Sequence, residues 1–151
     1  MEAHEHLKRH YLEAVAHWRM REEKAMEEKL SEQREDEAVF HRIALNVLDI
    51  FEKMFLVSYG AVYLDRPNPK LQPILDQHQD QKDQLRAACQ LYFDTLPEPW
   101  KAKAEQDEEH GHTEEWKKEL VKIEVVRILE TIFHGMFQEM MEGDDHDGHR
   151  H

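Results

Sequence analysis

Residues 4–17, HEHLKRHYLEAVAH, carry four histidines, and on a helix His6, His10 and His17 form one column with Glu13. Imidazoles one turn apart can share a divalent ion, and a carboxylate one turn further can complete its shell. Zinc, nickel, iron and copper are the metals such a set would take. The column lies beside the apolar stripe of Leu7, Tyr11, Val15 and Trp18, so it borders a core without belonging to it. Its plainer reading is a solvated helix edge.

A looser repetition lies downstream, where Glu37 and His41, then Glu130 and His134, are each four residues apart and share a helical face. Glu130 falls between Phe137 and Met141 in an apolar arc, where a carboxylate is costly unless paired. A cation of a neighbouring helix, or His134 itself, is the expected partner. His78 lies on a third apolar stripe, where a hydrogen bond is the ordinary way to satisfy a core imidazole. These nine residues, His6, His10, Glu13, His17, Glu37, His41, His78, Glu130 and His134, are the candidate metal ligands.

Stricter patterns are not met. Glu-x-x-His, which di-iron bundles need on two helices, occurs once, as Glu109 with His112 in a glycine-containing segment. His-Glu-x-x-His is missing, because His4-Glu5 is followed by His6, Leu7 and Lys8. Nucleophilic catalysis finds only Ser31, Ser58 and the single Cys89, with no glycine-rich phosphate loop. Cys89 sits on an apolar stripe and reads as a small hydrophobe.

The elements that must position these groups are helices. In 151 residues, 35% are charged and 40% hydrophobic, with only 5 Gly and 5 Pro, which points to an all-α chain forming an antiparallel bundle of about four helices. A first helix spans about 2–30. The polar stretch 31–36 has neither Gly nor Pro; a turn there with Asp36 as N-cap is the preferred reading, and one continuous helix through residue 64 is its rival. The second apolar pattern covers 37–64, and Gly60 within it predicts a close helix crossing or a local break. Prolines at 67, 69 and 73 make a turn, and a third helix follows over 71–96. Beyond Pro97 and Pro99 come a short helix near 100–106, a polar loop at 107–113, and a last helix capped by Thr113 and ended by Gly143. Residues 1–143 are expected to make one domain, and the His/Asp-rich tail 144–151 to be disordered.

The last helix is apolar over more than half its circumference. It therefore either sits centrally or buries a face against a second copy, for which Ile132, Phe133, Met136, Phe137 and Met140 are the expected interface.

A net charge of −13 disfavours nucleic acid and anionic membranes as partners. One cysteine permits no internal disulfide, and the longest apolar run, 55–64, is about half of what a bilayer span needs. Together with the lack of a leader pattern, these features predict a soluble, cytoplasmic protein. Its expected function is that of a non-enzymatic interaction or regulatory module that self-associates as a homodimer or meets a protein partner. The alternative is a metal-binding bundle using the nine residues above.

Overall fold

Leu7, Tyr11 and Val15, spaced by four, put one apolar stripe on helix α1, Ala3–Ser31, and all three are buried. A computed structural model describes residues 1–143; the tail expected to be disordered lies outside the described residues. Helix α2, Glu35–Tyr63, returns antiparallel to α1 and buries Ala44, Val47, Leu48, Phe51 and Phe55. A single turn, α3, covers Gln72–Leu75. Helices α4, Gln81–Thr95, α5, Glu98–Glu109, and α6, Thr113–Phe137, follow. The described residues contain no strand, and α1, α2, α4 and α6 make the all-α bundle.

Helices α1 and α2 are separate. Gln33 takes the left-handed conformation (φ 60°), so its N–H reaches the Leu30 carbonyl at 3.1 Å and that of Arg34 reaches Lys29 at 2.8 Å. This is a Schellman stop. The turn falls where it was expected, within 31–36, but its left-handed residue is unmarked because glutamine occupies the position that glycine usually takes. Arg34, not Asp36, is the N-cap of α2, while Glu35, Asp36 and Glu37 fill its first turn at the positive end of the dipole. The turn between α5 and α6 is built the same way around Gly111 (φ 70°), with Gly111 N–H on Glu108 and His112 N–H on Asp107. His112 is therefore the N-cap, and Thr113 the first helical residue.

Three further expectations are corrected. Helix α2 runs through Gly60 without a break or a crossing. What comes close there is the aliphatic stem of Arg66, which a Cβ on Gly60 would meet at 3.1 Å, because Asp65 (φ 54°) turns the chain back. The third helix is not continuous over 71–96: residues 76–80 are turn and bend, and the Gln84 amide holds the interruption by donating to the carbonyls of Leu75 (2.9 Å) and His78 (3.0 Å). Helix α5 is longer than expected, since Pro97 and Pro99 fall at its N-cap and first turn, where a missing N–H costs nothing.

The last helix ends as a π-helical turn, Gln138–Glu142, and Gly143 keeps right-handed backbone (φ −60°), so it does not act as a left-handed stop. Helix α6 sits centrally, packing against α1, α2, α4 and α5, which accounts for its wide apolar arc. The Phe133 ring meets Tyr11 of α1 edge-on at 5.9 Å, Phe55 of α2 at 6.3 Å and Phe93 of α4 at 5.8 Å. Helix α5 differs from the others: it packs chiefly on α6 and buries only Ala104 and Asp107. There the Lys103 ammonium is 2.8 Å from Asp107 and 3.7 Å from Glu119, and these carboxylates hold it above its usual range.

Two outcomes follow. Gln33→Gly relieves a left-handed residue that costs about 1 kcal/mol, so the thermal midpoint should rise by roughly 1–4 °C, whereas Gln33→Val should lower it. The Cys89 thiol, pushed up to about 12 by burial, should resist a disulfide reagent at pH 8 until urea unfolds the chain. Rapid labelling of the folded protein would contradict this burial.

Candidate functional site

The two tight turns, 32–34 and 110–112, lie at one end of the molecule. Below them α6 runs parallel to α2, with Val121, Val125 and Ile128 facing Phe40, His41 and Ala44 across an open groove of about 640 Å³. Trp18 and Glu22 of α1 complete its floor, and Leu120, Ile123 and Glu124 of α6 complete its far wall. The lining is mostly apolar. Leu120 is 40% exposed, and Phe40, Val121, Ile123 and Ile128 are only half-buried, so these side chains make an apolar surface that the described residues leave uncovered.

The polar groups in the groove are fixed by one another. Glu22 accepts from the Nδ1 of His41 at 2.6 Å and from the indole N–H of Trp18 at 3.1 Å, so both its oxygens are engaged. Glu124 is clamped by Arg127 through two contacts, and this guanidinium lowers its carboxyl below the usual range. Both carboxylates of the lining are thus already partnered, Glu22 by two aromatic N–H groups and Glu124 by a guanidinium. By contrast, the void inside the core, beside Tyr11, Phe51 and Cys89, measures about 10 Å³, room for at most a single water. A second open cleft, of about 530 Å³, lies at the other end of α1 beside His4, Lys8, Arg9 and Tyr59, and its lining is more polar than that of the α1–α2–α6 groove.

The nine candidate ligands do not come together. His6, His10, Glu13 and His17 are exposed on α1, and Glu13 takes Arg9 at 3.2 Å while the His10 ring stands 4.0 Å away. Glu37 pairs with Arg34, whose guanidinium lowers its carboxyl, and Lys29 lies 4.0 Å off. His41 turns to Glu22 instead of Glu37. His78 lies in the 76–80 interruption rather than on a helix, half-buried, and does not reach Glu130.

Glu130 and His134 are joined, but by an amide. The Gln90 side chain of α4 donates to Glu130 at 2.6 Å and to Asp94 at 2.8 Å, and its carbonyl accepts from the Nε2 of His134 at 2.7 Å. The expected partner for Glu130 was a cation or His134 directly; a neutral amide satisfies both groups without burying another charge. Among the described residues no group of three His, Cys, Asp or Glu side chains is placed to hold a metal. Of the residues expected at an interface, Phe133 and Phe137 are buried in the chain's own core, and Ile132, Met136 and Met140 pack against it partly exposed.

Sequence reasoning missed three functional neighbours. Glu22 stands four residues after Trp18, a spacing that would have suggested the pair. Gln90 carried no signal, since it is one of many glutamines on a polar face. His4, the first histidine of the opening stretch, leaves the others and turns inward: its Nδ1 meets the Tyr59 hydroxyl at 2.7 Å, and its ring stacks on Tyr63 at 3.9 Å.

Comparison of the chain with family models, with curated proteins and with solved structures finds no match. Among the described residues no helix is long and apolar enough to cross a membrane.

The Gln90 bridge has a measurable cost of removal. Gln90→Ala should lower unfolding stability by about 1–2 kcal/mol in urea, because two half-buried polar groups lose their shared partner. An unchanged midpoint would mean that solvent replaces the amide at no cost.

Proposed function

We propose that this protein is a non-enzymatic interaction module that receives an amphipathic helix in the groove between α1, α2 and α6. The observation that carries this reading is the unfilled apolar wall of Phe40, Val121, Ile123 and Ile128 above a pre-ordered Trp18–Glu22–His41 floor. A helix suits the groove for two reasons. Edge-strand addition needs a sheet, and the described residues have none. The α6 wall from Val121 to Ile128 runs about 10 Å, the reach of side chains at i, i+4 and i+7 on a docked helix.

Support also comes from the one thiol, which is buried and held protonated, and from the groove's carboxylates, which are already engaged. Self-association would supply the helix from a second copy. Ile132, Met136 and Met140 are the expected contact residues that keep partial exposure.

The reading is tested with a capped, net-neutral peptide helix bearing leucine at i, i+4 and i+7, titrated into the isotope-labelled protein. Methyl signals of Val121, Ile128 and Ala44 should shift, and Ile128→Gln or Leu120→Gln should weaken binding at least ~10-fold while leaving the helical spectrum and thermal midpoint nearly unchanged. Binding that ignores both substitutions, or shifts confined to another face, would overturn the groove as the docking surface. Sedimentation of the free protein, wild type and Met136→Glu, decides whether a second copy supplies the helix.

A further inference from the structure

The second cleft lies where α1 begins and α2 ends, between His4, Glu5, Lys8, Arg9 and Leu12 on one side and Tyr59 and Leu64 on the other. Its size, about 530 Å³, is that of small-molecule sites. Leu12 is half-buried and Leu64 is 44% exposed, so part of the wall is apolar and uncovered by the described residues.

Most polar groups of the cleft are donors. One hydrogen bond of 2.7 Å joins the His4 Nδ1 to the Tyr59 hydroxyl, and the His4 ring is fixed by its stack on Tyr63. If the hydroxyl donates, the neutral imidazole carries its proton on Nε2; if Nδ1–H donates, the hydroxyl keeps its own proton to give. In either arrangement one donor is left over. The half-buried Lys8 ammonium lies over the Tyr59 ring at 4.9 Å, and no carboxylate of the described residues is within ion-pair distance of it. Arg9 spends only its Nε on Glu13, at 3.2 Å. Glu5 is the one acid of the lining, and its Oε1 already accepts the Glu2 N–H of the capping box at 3.2 Å.

From this excess of donors beside an apolar wall we infer that the cleft binds an amphiphilic anion, a carboxylate or phosphate monoester on a short apolar body. The head group accepts from Lys8 and from the spare donor of the His4–Tyr59 pair, which meet at the same tyrosine, while the body covers Leu12 and Leu64. An ammonium is a point charge with no preferred plane, so it takes either head. The chain's net charge of −13 opposes any anion at long range, and affinity therefore comes from these short contacts. The cleft shares no lining residue with the α1–α2–α6 groove, so the two sites stand or fall separately.

Octanoate, octyl phosphate, octanol and acetate, titrated into the full-length isotope-labelled protein, test the site. The two octyl anions should shift the methyl signals of Leu12 and Leu64 and leave those of Val121 and Ile128 in place, the tighter of the two naming the source of the head. Octanol, without the charge, and acetate, without the body, should each bind at least ~5-fold more weakly. Lys8→Gln and Leu64→Gln should each weaken the octyl anions ~5-fold or more, with the helical spectrum and thermal midpoint nearly unchanged. Glu5→Gln, whose amide oxygen can still cap the helix, should tighten them.

Octanol binding as tightly as octanoate would reduce the cleft to an apolar patch and overturn the inference. Octyl-anion affinity that survives Lys8→Gln, or that fails to rise in Glu5→Gln, places the head group elsewhere and overturns it too. The same follows if neither octyl anion binds, or if the shifts fall on Val121 and Ile128 instead.

Discussion

A single ring, that of Phe133, organises the bundle. It is fully buried, and aromatic rings from α1, α2 and α4 each approach it, so the three other helices of the bundle are referenced to one residue of α6. Aromatic rings are stiff and prefer edge or tilted contacts, so a cluster of them fixes distances and angles together. The Phe51–Phe93 stack at 5.5 Å and the Tyr11–Phe55 contact at 4.7 Å extend the same cluster. Everything nearer the two tight turns lacks such a clamp. Nearer the turns than Val125 the buried apolar side chains are small, Ala38 and Ala104, with Trp18, Trp100 and Val121 packed partly exposed, and that is where the groove opens.

How much of this was legible depended on the kind of force involved. Apolar periodicity exposed α1, α2 and α6, because burial of Leu7, Tyr11 and Val15, or of Val125, Leu129 and Phe133, imposes a spacing that residue types record. The interruptions were legible only in part: the polar run 31–36 suggested a turn, whereas the break at 76–80 and the way each is made depend on hydrogen bonds that leave no period. Gln33 stops α1 by adopting a conformation that its residue type disfavours. Gln84 holds the 76–80 interruption by donating to carbonyls six and nine residues back. Pro97 and Pro99, expected to lie in a bend ahead of a short helix, sit at the start of α5, where helices accept them.

The site was less legible than the fold. Helical spacing could say that Glu130 and His134 share a face, and they do, yet the group that joins them comes from α4. Spacing placed His41 with Glu37, whereas tertiary packing gave it to Glu22 on the preceding helix. The width of α6's apolar arc signalled burial on several sides but not its distribution: the Phe133 and Phe137 end is consumed by the core, and the Val121 to Ile128 end is left open. A stripe tells which residues want a neighbour, and only the packing tells whether one arrives.

Helix α5 has a consequence of its own. It holds to the molecule by one buried alanine, by the half-buried Trp100, which packs on the core under the Lys122 ammonium, and by a polar clasp of Lys103, Asp107 and Glu119, against the many buried side chains of α2. Segments with few apolar contacts open at lower free energy than the core, as separate cooperative units. α5 has fewer such contacts than α2, so its backbone hydrogen bonds are the weaker set and those around the Phe133 cluster the stronger. The groove is lined by α1, α2 and α6 alone, so its shape is set by helices that the Phe133 cluster holds together, and α5 can vary without redrawing it.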